Sequence, residues 1–167
     1  VPVIEDAAHA FPALTRSGYA GTLADAGVYS FYATKTITTG EGGMINIKDG
    51  ERAQRISLMR SHGINRTIWD RYTSKTASWE YDVVAEGWKC NLPDILAAIG
   101  REQLKKADDF FRKRKAVAEF YTREFAGRDW LELPPDGPGN AWHLYLLRIV
   151  PEKLTIGRDE FAEKLQE

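Results

Sequence analysis

The chain has 167 residues, of which 43% are hydrophobic and 28% are charged. That length can bury a hydrophobic core, and the composition excludes a disordered or fibrous protein. The net charge of −1 gives no overall field that would attract nucleic acid or an anionic membrane. No apolar run approaches the roughly 20 residues of a transmembrane helix. Cys90 is the only cysteine, which excludes an internal disulfide and favours a reducing, cytoplasmic compartment.

At both ends, the sequence has the pattern of the interior of a strand or helix rather than of its start or end. The chain opens without methionine on a buried-strand pattern at residues 1–4. It closes on a helical pattern at residues 158–167 that has no stop signal. These patterns predict a fragment of a longer protein.

The first half of the sequence has the pattern of an α/β unit. Residues 1–4 predict a parallel strand that ends in the acids Glu5 and Asp6, at the edge where α/β sheets bind ligands. Strand patterns follow at residues 27–32 and Gly43–Ile47, and an amphipathic helix is predicted over residues 51–61.

The second half begins with residues 63–90, which have no clean period and predict a long, functional loop. A long helix is then predicted from Pro93, with a bend near Gly100. Strands at 130–133 and 142–150 flank a Pro/Gly loop. We therefore predict a ligand-binding domain over 1–91, a connecting helix over 92–126 and a small α+β domain over 127–167. The apolar stripe of the predicted helix is Leu96, Ile99, Leu104, Ala107, Phe110, Phe111, Val117, Phe120, Tyr121 and Phe125.

The first candidate site is the run Glu5-Asp6-Ala7-Ala8-His9 at a strand end. A carboxylate there can project into a ligand cleft, although an acid that caps a turn is the commoner meaning of this local pattern. A lone histidine such as His9 is also more often structural than ligand-binding.

The second candidate is the run from Ser30 to Lys35, followed by Gly40-Glu41-Gly42-Gly43. A lysine held just past a strand can be partly buried, which lowers its pKa and makes its amine nucleophilic, as Schiff-base chemistry requires. Hydroxyls of Ser30 and Thr34 could hold a phosphate. Alone, Lys35 would more often be a solvated surface lysine.

Together the two runs meet the needs of one cofactor. Pyridoxal phosphate (PLP) requires a lysine for its aldimine, an acid facing the pyridine nitrogen, and phosphate donors. An acid at one strand end and a lysine after a neighbouring strand supply the first two.

These runs resemble the signature of the DegT/DnrJ/EryC1/StrS aminotransferases, a family with the α/β architecture of PLP fold type I enzymes. The resemblance continues in the same order through Arg60-Ser61-His62-Gly63, Cys90-Asn91-Leu92-Pro93-Asp94 and Ala141-Trp142-His143-Leu144-Tyr145. Five motifs in order cover nearly the whole chain.

The resemblance implies a role for each matching residue. Lys35 matches the lysine that forms the aldimine with PLP, and Asp6 matches the acid paired with the pyridine nitrogen. His9 lies where the family contacts the phenolic oxygen, and Ser30 matches a phosphate ligand. Two further matches are Asn91, which in a subset of members reaches the cofactor phosphate of the partner subunit, and His143, a substrate contact on a small-domain strand.

That subset includes the aminotransferase of 4-amino-4-deoxy-L-arabinose synthesis, which residues 69–71 and 89–91 also resemble. Relatives that act as dehydratases replace the lysine with histidine, so Lys35 favours transamination. The family's N-terminal phosphate loop and ring-stacking aromatic are absent from this sequence. We therefore expect the fragment alone to be inactive and to hold PLP weakly.

The resemblance implies a cytoplasmic, homodimeric aminotransferase that moves an amino group, with glutamate as the expected donor, to a keto group of a nucleotide-linked sugar. Two alternatives stay open. One is a cyclitol or aromatic-precursor aminotransferase of the same family, and the other is a truncated, non-catalytic interaction module.

Overall fold

The computed structural model describes residues 1–65, 81–135, 137 and 139–166. Most of the predicted long loop, including the motif at 69–71, lies outside the described residues. No helix in the described part of the chain is long and apolar enough to cross a membrane.

The sheet that carries the candidate site has three strands, in the spatial order Ile4–Asp6, Ala26–Ser30 and Gly43–Ile47. Strand β1 (Ile4–Asp6) pairs parallel with β4 (Ala26–Ser30), in the orientation that the sequence predicts. The predicted bounds and burial are wrong, because the strand begins at Ile4 and includes the two acids, while Val3 and Ile4 are exposed. Strand β5 (Gly43–Ile47) has the predicted bounds and pairs antiparallel with β4. A short hairpin of β2 (Leu14–Thr15) and β3 (Gly18–Tyr19) joins β1 to β4.

Helices follow the sheet. The predicted amphipathic helix is α1 (Gly50–Met59), which begins where the Asp49 carboxylate accepts the Arg52 N–H at 3.0 Å. The described residues then form α2 (Asp94–Leu104), α3 (Ala107–Phe125), β6 (Leu131–Glu132), antiparallel β7 (Arg148–Ile149), a 3₁₀ turn (Pro151–Lys153) and α4 (Arg158–Lys164).

The single long helix predicted from Pro93 is two helices. The interruption lies at Lys105 and Lys106, not near Gly100. Gly100 has a different purpose: a Cβ there would lie 2.8 Å from Cγ2 of Thr39, so glycine lets α2 approach the loop that follows β4.

The predicted apolar stripe is only partly buried. Ala107 is buried at the start of α3, whereas Val117 and Phe120 are about half exposed, at 52% and 49%. Periodicity identifies an apolar face but does not say whether another element covers it. Among the described residues, no element covers the part of the stripe around Val117 and Phe120 fully.

The strand predicted over 142–150, with His143 on it, is wrong. Only Arg148–Ile149 pairs, and His143 lies in an irregular segment before β7. Trp142 has a φ of +50°, a left-handed conformation that breaks an extended strand. Trp142 is buried at the bend, whereas Leu144 and Leu146 are more than half exposed, so the apolar pattern here marks neither a strand nor a buried segment.

One face of the sheet is anchored by Glu5, whose carboxylate accepts the backbone N–H groups of Gly21, Leu23 and Ala24 at 2.7, 2.6 and 2.7 Å. The loop at Gly21 packs closely against β4, since a Cβ on Gly27 would lie 2.0 Å from the Gly21 carbonyl oxygen. Glu5 is therefore the turn acid that the sequence pattern left open.

These three N–H groups lower the pKa of Glu5, with the Ala24 N–H contributing most. A carboxyl whose pKa is lower in the folded than in the unfolded state stabilises the fold above the unfolded value. That contribution is lost as pH falls through the lowered pKa.

We predict that Glu5→Gln destabilises the fold, because an amide oxygen is a weaker acceptor for three N–H groups than a carboxylate. The difference in urea midpoint between the wild type and Glu5→Gln should be largest near neutral pH and shrink as pH falls through the lowered pKa of Glu5. Glu86→Gln, at an exposed glutamate, is the matched control and should follow the wild type. Equal midpoints for Glu5→Gln and Glu86→Gln at neutral pH would contradict the anchoring role.

Candidate functional site

The carboxyl edge of the β1–β4 pair gathers the polar residues of the candidate site. Because the two strands are parallel, Asp6 closes β1 and Ser30 closes β4 at the same edge of the sheet. Antiparallel β5 begins at Gly43 beside Ser30. This edge is where open α/β sheets bind ligands.

Asp6 and Glu5 have opposite environments although they are neighbours, since successive strand residues point to opposite faces. Asp6 is exposed, and its Oδ1 accepts the Ala8 N–H at 3.1 Å. With Glu5 committed to the loop, Asp6 is the acid of the pair that can face a ligand.

Lys35 lies on a short excursion that leaves β4 and returns to it. Its N–H donates to the Tyr32 carbonyl at 3.0 Å, and the Thr39 N–H donates to the Phe31 carbonyl at 2.9 Å. Thr36, Ile37 and Thr39 are buried, whereas Lys35 is half-buried. The excursion thus fixes the lysine backbone and leaves its amine, within the described part of the chain, without an ion-pair partner.

His9 and His143 meet although 134 residues separate them in a chain of 167. Their ring centroids are 4.3 Å apart, with the planes tilted by 43°. Burial lowers the pKa of His143, and the nearby charges of His9, Lys35 and Arg114 lower it further. This lowered pKa favours the neutral form of the His143 imidazole, and Lys35 lies close enough for its charge to act on it.

One buried polar atom in this cluster is unsatisfied. Nδ1 of His143 is buried and has no hydrogen-bond partner among the described residues. A buried polar group without a partner costs free energy, so such an atom calls for a functional explanation.

Two further predicted site residues have different surroundings. Ser30 is half-buried at the edge, and its Oγ accepts the Tyr32 N–H at 3.3 Å. Asn91 is exposed just before α2, and no described contact joins it to Asp6 or Lys35. The structure thus brings His9 and His143 into contact, aligns Asp6 with Ser30 at one edge, and shows no described contact between Asn91 and these residues.

Sequence reasoning missed Arg114. It stands in the charged run 112–115, which is typical of a solvated face, yet its guanidinium donates to the carbonyls of Trp142 and His143, each at 3.4 Å. A signal was present, because Phe110, Arg114 and Ala118 recur at intervals of four and so share one face of α3.

A lysine, a carboxylate, a hydroxyl and two imidazoles at the carboxyl edge of an α/β sheet form a site suited to Schiff-base chemistry. The chain belongs to the DegT/DnrJ/EryC1/StrS aminotransferase family, whose sequence profile matches residues 1–167. The fold is accordingly a part of the α/β, fold type I aminotransferase architecture.

Two curated relatives and one solved structure illustrate the similarity. The chain is 45% identical over 166 residues to an uncharacterized protein of Methanocaldococcus jannaschii, covering 98% of this chain and 43% of that protein. It is 39% identical over 167 residues to the spore coat polysaccharide biosynthesis protein SpsC of Bacillus subtilis, covering 99% and 43%.

The solved structure comes from Streptococcus pneumoniae and is assigned as the sugar aminotransferase Spr1654 in its PLP form. It matches with a TM-score of 0.76 and 29% identity, over 89% of this chain and 37% of that one. The chain thus spans less than half the length of the relatives it matches.

Proposed function

We propose that this chain forms part of a PLP-dependent aminotransferase that transfers an amino group from glutamate to a keto group of a nucleotide-linked sugar. The main support is the shared edge of β1 and β4, which carries Asp6 and Ser30 and leads directly into the Lys35 excursion. Membership of an aminotransferase family agrees with it, as does similarity to a polysaccharide biosynthesis protein and to a sugar aminotransferase in its PLP form.

The donor set at this edge fits the functional groups of PLP. An amine can bind the aldehyde carbon, a carboxylate can face the pyridine nitrogen, and a hydroxyl can donate to the phosphate. Lys35, Asp6 and Ser30 are those three groups, and His9 would take the phenolic oxygen. The unpartnered Nδ1 of His143 shows a polar atom in the same cluster that the described chain does not satisfy.

When bound, the cofactor supplies an electron sink for the negative charge left when the donor loses its Cα proton. Lys35 would carry the cofactor at rest. Once displaced by the amino donor, its Nζ would act as the base that moves the proton from Cα of the donor to C4′ of the cofactor.

Asp6 would hold a proton on the pyridine nitrogen, because an anion beside that nitrogen stabilises its charged form. Within the described residues one N–H, that of Ala8, donates to the Asp6 carboxylate, which leaves its other oxygen for this contact.

Two further residues would contact the partner subunit and the sugar substrate. Asn91 is exposed and would reach the cofactor phosphate of a partner subunit, which makes the active form a homodimer. His143, which contacts His9, would contact the substrate. The single free cysteine, Cys90, agrees with a reducing, cytoplasmic compartment.

We predict that the intact protein, supplied with PLP, glutamate and a nucleotide-linked keto-sugar, releases 2-oxoglutarate and an amino sugar in equal amounts. Lys35→Ala should abolish both products, because no other group at this edge can carry the cofactor and move the proton. Lys89→Ala, at an exposed lysine after α1, is the control and should retain turnover. Turnover with a cyclitol ketone but with no nucleotide sugar would overturn the proposed substrate, and failure with every ketone would overturn the activity.

We also predict that Asp6→Asn slows turnover by roughly 10²–10⁴-fold, the range typical of general acid–base and electrostatic contributions. Asp25→Asn is a matched control, because Asp25 likewise accepts one backbone N–H, from Val3 at 2.8 Å, but lies at the opposite edge of the sheet. Both variants should unfold at similar urea concentrations, and only Asp6→Asn should lose activity. Near-normal turnover of Asp6→Asn would exclude the role at the pyridine nitrogen.

A further inference from the structure

Arg114 links the face of α3 to the candidate site through two backbone carbonyls. It is the arginine of the charged run 112–115 that is half-buried, and its Nη1 lies 3.4 Å from the carbonyl oxygens of both Trp142 and His143. Arg112 shows the contrast, since its side chain is 70% exposed and pairs with Asp109 on the same helix. The two arginines thus lie on different faces of one helix.

The segment that Arg114 holds is bent against its preference. Trp142 is buried and has a φ of +50°, which is rare for a bulky residue and costs free energy. Its N–H donates to Oδ1 of Asn140 at 2.9 Å, and its ring stacks on Tyr145 at 5.8 Å. A strained turn persists only where its surroundings fix it, and Arg114 fixes the carbonyl side of this turn.

The bend determines where the His143 ring lies. An extended backbone at Trp142 would send the next side chain in another direction, whereas the left-handed turn places the His143 ring 4.3 Å from His9. His9 follows Asp6 by three residues and belongs to the candidate site. Contact with His143 therefore limits where the imidazole of His9 can lie.

We infer that Arg114 is a positioning residue: by holding the Trp142 turn, it keeps the His143 ring in contact with His9 and so fixes the position of both imidazoles. The effect on turnover rests on the proposed function, whereas the geometric effect does not. Arg114 contacts neither His9 nor Lys35 in the described contacts, so it acts through the backbone of residues 142–143.

The test compares Arg114→Gln with Arg112→Gln, two neutral variants of the same helix. The NOE between the imidazole protons of His9 and His143 is measured by NMR in the intact protein without added cofactor. Arg114→Gln should lose this NOE while the protein stays folded, and Arg112→Gln should keep it. A merely structural role would lower stability but leave the NOE in the folded protein. Its persistence in folded Arg114→Gln would overturn the inference.

Arg114→Lys replaces Arg114→Gln if the latter does not fold. It keeps the charge and the long stem but loses the planar fork that reaches two carbonyls, so the NOE should still weaken. Retention at wild-type intensity would again overturn the inference.

Turnover supplies the second measurement. Displacement of a positioned group by about 1 Å can cost up to about 10²-fold, so the folded Arg114 variant should lose turnover within that range. Loss of the NOE with unchanged turnover would overturn the role of Arg114 in the reaction. If the wild type has no aminotransferase activity, the proposed function fails while the NOE comparison still decides the geometry.

Discussion

The part of the candidate site that lies at the sheet edge depends on the parallel pairing of β1 with β4. It places the last residues of both strands, Asp6 and Ser30, at one edge and lets the Lys35 excursion start from that edge. Glu5 secures this arrangement from the opposite face by binding three N–H groups of the loop that leads into β4. The two adjacent acids therefore have different roles, because successive side chains of a strand point to opposite faces. Glu5 stabilises the loop before β4, and Asp6 lies at the edge where a ligand can bind.

Contacts from the helices hold two segments of the site that the strand pairing does not hold, the loop after Lys35 and the segment at residues 142–143. Gly100 lets α2 approach Thr39, and a Cβ on Gly42 would lie 2.4 Å from Oγ1 of the same threonine. The loop that follows Lys35 is therefore confined between β5 and α2. Farther along the chain, Arg114 holds the bent segment that brings His143 to His9. Precise placement of reacting groups requires such support, since a lysine on an unsupported loop would sample many positions.

Local sequence patterns predicted β5, α1 and the parallel strand at the chain start, because each has a clear apolar period and a turn or cap residue beside it. Patterns could not divide the roles of Glu5 and Asp6, which depend on a loop 16 to 19 residues away. Local patterns also could not predict the contact between His9 and His143. That contact depends on the left-handed backbone at Trp142, and an apolar run does not reveal such a bend. The roles of Lys35, Asp6, Ser30 and Asn91 stay predictions, carried by motif resemblance and by position at the edge.

Borohydride reduction of the PLP-loaded intact protein, followed by peptide mapping, tests the central claim most directly, because reduction makes the bond between cofactor and lysine permanent. The claim is that the amine beside the β1–β4 edge carries the cofactor. The pyridoxyl label should be found on Lys35 alone, and Lys35→Ala should take up no stable label. A label on any other lysine of the chain, or equal labelling of Lys35→Ala and the wild type, would contradict the assignment of the site.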